Sequence, residues 1–167
     1  ALEFLRLKNL NVIVMDMVES RLEFCRNHLG VKHTVLFNPN GDPLSELQGI
    51  TGGELADIVI DATGSVRSMS SCFEYAAFTG RVIYVGITTE NLSFPHAPVF
   101  HRRELTLLAS RNALPEDFGK IIELIAAGDI NTDIWITARL SFQDVPADFA
   151  AFTDTGRGTV KALIEIP

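Results

Sequence analysis

Short apolar runs rich in β-branched residues alternate along the chain with segments of helical spacing, and this alternation restricts the possible folds most. The run at residues 11–15 reads NVIVM, and the following segment carries apolar residues at Leu22, Cys25 and Leu29 before a glycine. The same order recurs with runs at residues 34–37, 57–60, 82–85 and 105–109. Strands separated by helices pair in parallel and are covered on both faces. The sequence therefore predicts an α/β fold with a doubly wound parallel sheet.

Three further segments complete the pattern. Residues 1–9 have apolar residues at helical spacing but neither a helix cap nor a preceding strand, which indicates the end of a helix. Ser65 is typical of an N-cap and predicts a helix to about Phe78. Residues 88–103 are interrupted by prolines and are expected to be irregular. No linker-like stretch divides the chain, so we predict a single domain over residues 1–167.

Composition and charge exclude several classes of partner. The net charge of −7 leaves no basic surface to neutralise a run of phosphates, so a nucleic acid is not expected. No apolar run approaches the roughly 20 residues that cross a bilayer, so a membrane is not expected either. The first residues lack the basic start of a signal peptide, and only two cysteines occur. We therefore expect reduced thiols and a cytoplasmic protein.

Five segments occur in the order and at the spacings of a known enzyme family. They are VIVMDMVESRLEFCRNHLG, DIVIDATGS, GRVIYVG, ELTLLASRNALPEDF and GTVKALIEI. Together they resemble the cofactor-binding half of the zinc-type, medium-chain alcohol and polyol dehydrogenases, and the SRNA string is similar to the sorbitol- and threonine-dehydrogenase branch. The resemblance implies a Rossmann-like fold, NAD as cofactor and hydride transfer from a secondary alcohol, polyol or sugar-derived substrate.

Several family features are absent from this sequence. In the family, a strand and a G-x-G-x-x-G turn precede the helix that residues 1–9 resemble, and that turn binds the cofactor pyrophosphate. The turn does not occur here, nor do the catalytic zinc ligands or the four-cysteine zinc loop. The resemblance therefore implies a sheet without its first strand and glycine-rich turn, weak or absent NAD binding, zinc only in the missing catalytic domain, and no turnover by this fragment alone.

Asp16 is the first candidate for cofactor binding. It follows the run at residues 11–15. A carboxylate at the end of a strand can accept both hydrogen bonds from an adenosine ribose diol and repels a 2′-phosphate, which favours NAD over NADP. A solvated acid that only ends the strand is the alternative. The resemblance places Arg21 over the same ribose, although an ion pair with Glu19 or Glu23 also accounts for an arginine there.

The other candidates follow later strands at their carboxyl ends, where ligands bind to doubly wound sheets. Three groups of neighbours share this position: Ala62, Thr63, Gly64; Val85, Gly86, Ile87; and Ser110, Arg111, Asn112. The resemblance implies that the second group lies beside the nicotinamide carboxamide and that the third lines the nicotinamide end. It also implies that Lys161 reaches the pyrophosphate from the last strand. Without the resemblance, these are turn residues and surface side chains.

No metal ligand or catalytic residue is expected within this chain. Cys25 and Cys72 lie on apolar helical faces, where a cysteine usually acts as a small buried hydrophobe. The histidines show neither H-E-x-x-H nor C-x-x-C companions. Residues 91–109 suggest an assembly instead, because the resemblance implies an edge strand there that joins two cofactor domains. An exposed edge readily pairs with a second copy, so we expect a twofold homodimer.

Three functions are therefore open. The leading hypothesis is the NAD-binding domain of a zinc-dependent dehydrogenase of small-molecule alcohols. The alternative is a dimeric domain without catalytic duty, or a truncated relic of such an enzyme. An S-adenosylmethionine-dependent methyltransferase also carries an acid at the end of its second strand, but the strings VGI, SRNA and VKALIEI disfavour it.

Overall fold

Every strand pair in the computed structural model, which describes residues 1–152 and 158–167, is parallel. The α/β prediction is confirmed, but the strands form three separate sheets of two, three and two strands. The chain divides into unit 1, formed by Ala1–Gly41 with Leu114–Pro167, and unit 2, formed by Asp42–Ala113. A single domain over the whole chain stays a prediction.

Unit 1 begins with the helix α1 (Leu2–Leu7). The strands β1 (Ile13–Asp16) and β2 (His33–Leu36) then pair in parallel, and α2 (Glu19–Leu29) connects them. Gly30 ends this helix with a φ of +64°, a left-handed conformation that glycine adopts without strain. The helical segment that the sequence shows before this glycine is therefore a helix, and it ends at the glycine.

A buried acid holds α1 in place. Glu3 is 8% exposed, and its carboxylate accepts hydrogen bonds from Arg6 NH1 at 2.5 Å and from Trp135 Nε1 at 2.9 Å. Leu2 and Trp135 also pack against the buried cluster around Leu29. So short a helix is marginal in isolation, and these tertiary contacts explain why residues 2–7 stay helical.

Unit 2 contains the three-stranded sheet. Its elements are α3 (Pro43–Thr51), β3 (Ala56–Asp61), α4 (Val66–Ser71), β4 (Ala76–Tyr84) and β5 (Thr106–Ala109), and the strand order is β3–β4–β5. The strand β4 therefore lies in the centre, and β5 lies at one edge.

The helix that begins after Ser65 is shorter than the sequence predicts. Ser65 caps it as expected, but α4 ends at Ser71, and a 3₁₀ turn at Cys72–Tyr75 follows. The reason is that Ala76 already pairs with Ala56, so the residues up to Phe78 belong to β4. Pairing in the sheet here overrides helical spacing.

The core of unit 2 lies between the sheet and the proline-interrupted segment. Phe73 is fully buried, and the ring of Phe94 stacks on it with centroids 4.0 Å apart. Phe100 meets Phe73 edge-on at 5.7 Å and lies in a π-helical turn, His96–His101. Residues 88–103 thus contain a helical turn where the sequence predicts irregular structure, because aromatic packing stabilises the turn despite the prolines.

Unit 1 resumes after unit 2 with α5 (Pro115–Ala126), β6 (Ile136–Ser141), α6 (Val145–Phe152) and β7 (Lys161–Glu165). The strands β6 and β7 form the third parallel sheet. Among the described residues, no helix is long and apolar enough to cross a bilayer.

Candidate functional site

Asp16 is the last residue of β1, and contacts within the protein occupy only part of its carboxylate. The backbone N–H of Val18 donates to Asp16 Oδ1 at 2.9 Å, and Arg21 NH1 lies 3.6 Å from Oδ2. The Asp16 side chain is 30% exposed, which leaves oxygen lone pairs accessible to a ligand. Glu19 pairs with Arg26 rather than with Arg21. The structure therefore brings the two ribose candidates of unit 1 together.

Lys161, the other candidate in unit 1, is the first residue of β7 and pairs with Ile136 of β6. Its side chain is exposed at this position. An exposed ammonium group at this position can approach an anion with little loss of solvation.

The ends of the three strands of unit 2 lie in register. Asp61 at the end of β3 pairs with Tyr84 at the end of β4, and Tyr84 pairs with Ala109 at the end of β5. The remaining candidates lie directly after these strands, at residues 62–64, 85–87 and 110–112. We call these three segments the carboxyl edge of unit 2. The structure therefore brings all of them to one edge of a parallel sheet, as the sequence predicts.

Backbone hydrogen bonds fasten neighbouring segments of this edge. The N–H groups of Val85 and Gly86 donate to the Asp61 carbonyl at 2.8 and 2.9 Å. The N–H of Ser110 donates to the Tyr84 carbonyl at 2.8 Å. In an anion site such N–H groups point at the ligand, whereas these are used within the protein.

Two glycines allow the first two segments to touch. A Cβ on Gly86 would lie 2.4 Å from the Gly64 nitrogen and 2.9 Å from Asp61 Oδ1. Gly64 has a φ of +70°, and a Cβ there would lie 2.7 Å from the Ile87 carbonyl oxygen. These distances are shorter than real side chains tolerate, so both positions require glycine. The result is a surface of backbone, without side chains, at the centre of the edge.

Sequence reasoning missed the main organiser of this surface, which is Asp61. The residue is only 3% exposed. Oδ1 accepts hydrogen bonds from the Thr63 N–H at 2.9 Å and the Gly64 N–H at 3.4 Å, and Oδ2 accepts one from Ser68 Oγ at 2.5 Å. The available signal was an acid that ends a buried apolar run and precedes threonine and serine, which is a sequence typical of side-chain-to-backbone turns.

The Thr63 hydroxyl, which the sequence offered as a ligand group, is engaged within the loop. It donates to the Asp61 carboxylate at 3.0 to 3.1 Å and accepts a hydrogen bond from the Ser65 N–H at 3.0 Å. The hydroxyl and the N–H of Thr63 therefore both stabilise the turn, which leaves its backbone carbonyl for a ligand.

The groups beneath Asp61 are kept protonated. Burial, followed by the nearby Asp61 charge, raises the pKa of the Cys72 thiol to about 12. Burial, with Cys72 and Asp61 nearby, also raises the pKa of Tyr84 to about 12, and its hydroxyl donates to the Met69 carbonyl at 2.6 Å. A thiol with so high a pKa is a poor nucleophile, which supports a structural role for Cys72.

Ser110, Arg111 and Asn112 follow β5 and are exposed. Asn112 adopts a φ of +58°, a left-handed conformation that asparagine tolerates better than most residues. The three side chains thus stand at the solvent side of the edge.

The described residues contain no group of three or more His, Cys, Asp or Glu side chains arranged to hold a metal ion. Both cysteines are free and buried. No zinc ligand set can therefore be built from residues 1–152 and 158–167.

Comparison with known proteins identifies the family. The sequence model described as "zinc-binding dehydrogenase" matches residues 1–127. The L-galactonate-5-dehydrogenase of Escherichia coli K12 is 33% identical over 154 residues, which are 92% of this chain and 44% of that protein. The chain belongs to the zinc-binding dehydrogenase family. This membership decides against the methyltransferase alternative.

Further relatives match this zinc-binding dehydrogenase chain over a similar share of their length. The D-xylulose reductase of Saccharomyces cerevisiae is 26% identical over 160 residues, which are 94% of this chain and 44% of that protein. The alcohol dehydrogenase of Thermus sp. ATN1 superposes with a TM-score of 0.85 at 20% identity, over 100% of this chain and 47% of that one. These likenesses confirm the Rossmann-type fold, and the chain spans less than half the length of the curated relatives it matches.

One solved structure was determined with a cofactor. The alcohol dehydrogenase of E. coli CFT073, in complex with NADH, superposes with a TM-score of 0.85 at 23% identity, over 99% of this chain and 48% of that one. At this identity the likeness supports the fold. Among the candidate residues of this zinc-binding dehydrogenase chain, all except Lys161 lie within the segment that the family model matches.

Proposed function

We propose that this chain is the NAD-binding part of a zinc-dependent dehydrogenase that oxidises a secondary alcohol of a polyol or sugar-derived substrate. The observation that carries the proposal is the carboxylate of Asp16 at the carboxyl end of a parallel strand. It is partly exposed and retains unused lone pairs beside Arg21. A ribose diol offers two donors to such a carboxylate.

The same carboxylate favours NAD over NADP. A 2′-phosphate placed at Asp16 would bring two negative charges together, and Arg21 is already 3.6 Å from Asp16 Oδ2. The single guanidinium is therefore shared with an acid and is poorly placed to compensate a phosphate.

The carboxyl edge of unit 2 would hold the nicotinamide end of the cofactor. Its centre is a side-chain-free surface around Gly64 and Gly86, against which a flat ring can lie closely. Val85 and Ile87 flank this surface, with Ser110, Arg111 and Asn112 at its solvent side. Lys161 would bind the pyrophosphate. When bound, NAD supplies the ring carbon that accepts the hydride.

The substrate class is inferred from the relatives rather than from the described residues. L-galactonate-5-dehydrogenase and D-xylulose reductase are both named for polyhydroxylated compounds. We propose a small-molecule alcohol of this kind, with zinc bound in a part of the protein outside this chain, and no turnover by the 167 residues alone. Both cysteines are free thiols, which supports a cytoplasmic location.

The first test is the intact mass of the natural protein, isolated from its own cells, against the 18.4 kDa of this chain. We expect about twice that value, because the matched relatives are more than twice as long. A mass equal to that of this chain would contradict the catalytic proposal.

The second test measures cofactor binding to that full-length protein. We expect NADH to bind more tightly than NADPH, and Asp16→Ala to weaken NADH binding by about 10- to 100-fold, because two hydrogen bonds to a charged group are lost. Asp129→Ala, the same change at an exposed acid of unit 1, is the matched control. Equal NADH affinity in Asp16→Ala and in the wild type would remove Asp16 from the site.

A dimeric domain without catalytic duty is the second candidate function. It is favoured by the position of β5 at one edge of the unit 2 sheet, where Leu107 and Leu108 are 39% and 45% exposed. We propose that residues 91–109 join two copies through this edge. Sedimentation of the full-length protein should give the mass of a dimer, and Leu108→Lys should lower it. A monomer at micromolar concentration would contradict this assembly.

A further inference from the structure

The most heavily bonded side chain of unit 2 is one that no ligand can reach. We propose that Asp61 is the positioning residue of the carboxyl edge: its buried carboxylate holds Thr63 and Gly64 in the shape that receives the cofactor, without touching the cofactor itself. This inference rests on the proposed function of the edge, and it assigns a role to a residue outside the ligand-facing set.

The first support is the set of donors that converge on one carboxylate. Two backbone N–H groups, from Thr63 and Gly64, reach Oδ1 at 2.9 and 3.4 Å. The hydroxyls of Thr63 and Ser68 reach Oδ2 at 3.0 and 2.5 Å, and the Cys72 thiol lies 3.9 Å from the same oxygen. At 3% exposure, water cannot replace these bonds if the carboxylate is removed.

The second support is that Asp61 fastens two segments at once. Its carboxylate binds the turn after β3, while its backbone carbonyl accepts hydrogen bonds from Val85 and Gly86 after β4. Gly86 also lies so close to the carboxylate that a Cβ would stand 2.9 Å from Asp61 Oδ1. A change in the Asp61 side chain is therefore transmitted to both segments of the edge.

The third support concerns the kind of ligand group that the edge can accept. Internal hydrogen bonds already use several backbone N–H groups of the edge, namely those of Thr63, Gly64, Val85, Gly86 and Ser110. An anion site needs such groups to point outward. With these donors turned inward, the edge lacks the free N–H groups that would hold a phosphate, which agrees with an uncharged or cationic group of the cofactor.

The test compares Asp61→Asn with Asp61→Ala in the full-length natural protein. Asparagine keeps an oxygen for the two backbone N–H groups, and the hydroxyls can rotate to accept from its amide. We expect Asp61→Asn to bind NADH within about threefold of the wild type and Asp61→Ala to bind about tenfold or more weakly. Asp57→Asn, a change of an exposed acid on the same strand, is the matched control.

A second measurement reads the loop without the cofactor. Amide hydrogen exchange of residues 61–71 should be faster in Asp61→Ala and nearly unchanged in Asp61→Asn and in Asp57→Asn. Ser68→Ala, which removes one donor and leaves the carboxylate in place, should give an intermediate rate. This variant keeps the inference testable if Asp61→Ala fails to fold.

The outcomes separate the two proposals. If the wild type does not bind NADH, the proposed function of the edge is wrong, while hydrogen exchange still decides whether Asp61 fixes the loop. If the wild type binds and Asp61→Ala matches it in affinity and exchange, the positioning role is wrong. If Asp61→Asn loses affinity as strongly as Asp61→Ala but keeps slow exchange, the charge of Asp61 acts directly and the positioning role is overturned.

Discussion

Asp16 and Asp61 are both aspartates in the same kind of position, yet the structure gives them different roles. Each is the last residue of a parallel strand. Asp16 has a 30% exposed side chain, one backbone hydrogen bond and a 3.6 Å approach from Arg21. Asp61 is 3% exposed and accepts bonds from backbone, hydroxyl and thiol donors. The first retains capacity for a ligand, and the second has none.

The difference shows that the position of an acid at a strand end does not by itself identify a binding residue. The residues after the acid decide its role. Asp16 precedes Met17 and Val18, which offer only a backbone donor, whereas Asp61 precedes Thr63 and a helix that carries Ser68. The hydroxyls of Thr63 and Ser68, two and seven residues after Asp61, donate to the second carboxylate and draw it inward. We therefore expect the two residues to respond in opposite ways to mutation.

The largest expected difference is in stability. Asp61→Ala leaves several buried donors without a partner, and we expect it to lower the free energy of unfolding by about 3 kcal/mol. Asp16→Ala should change it by less than about 0.5 kcal/mol, because the site is partly solvated. Urea unfolding of both variants measures the contrast. Equal losses would show that the two carboxylates are equally structural.

Gly86→Ala sharpens the comparison from the neighbouring segment. The new Cβ would lie 2.4 Å from the Gly64 nitrogen and 2.9 Å from Asp61 Oδ1, so backbone must move. We expect a loss of about 2 kcal/mol in unfolding free energy. The matched control is Gly49→Ala in α3, where nothing beyond the neighbouring residues and backbone of its own helix lies within 4 Å of the new Cβ and alanine favours the helix. A Gly86→Ala variant as stable as the wild type would mean that the backbone of the carboxyl edge moves at little cost in free energy.

Alkaline pH tests the buried environment around Asp61. The Cys72 pKa is about 12 in the folded chain against 9 when unperturbed, so between these values the unfolded chain releases a proton that the folded chain keeps. The stabilisation from the protonated thiol is fully present below pH 9. It is lost progressively as the pH rises from 9 towards 12, so unfolding becomes easier over this range. Urea unfolding at about pH 8 and about pH 10.5 should show a decrease that is smaller in Cys72→Ser. An identical decrease in both proteins would contradict the buried thiol.

The fold can be predicted from the sequence where local signals agree. Gly30, which follows a segment of helical spacing, is recognisable as a helix stop, and it adopts a positive φ. The strand ends that carry the candidate residues are also recognisable, because apolar runs before small residues give a clear boundary. Prediction is wrong where distant residues decide: the helix after Ser65 ends at Ser71 because Ala76 pairs with Ala56.

The candidate site divides in the same way. Asp16 and the glycines can be proposed from the sequence, because each directly follows an apolar run that predicts a strand and the resemblance assigns these positions to the cofactor site. Asp61 cannot be assigned a role in this way, because its burial and its bond to Ser68 depend on how α4 returns over the strand end. The π-helical turn at His96–His101 escapes prediction for a related reason, since Phe100 packs on Phe73 from a distant part of unit 2 as well as on the nearby Phe94.

Arg21→Ala has the smallest expected effect and defines what Asp16 does by itself. The Arg21 side chain is 41% exposed and its NH1 lies 3.6 Å from the carboxylate, so the ion pair contributes little to stability. If Asp16 binds the ribose directly, NADH affinity should fall by about threefold at most, because the carboxylate keeps its bond to Val18. Asp16→Asn, in contrast, leaves Arg21 without its acid, and NADPH affinity should rise as the guanidinium becomes available to a 2′-phosphate. Titration of both cofactors into both variants measures this. A loss of NADH binding in Arg21→Ala as large as in Asp16→Ala would mean that the arginine, and not the strand-end carboxylate, holds the ribose.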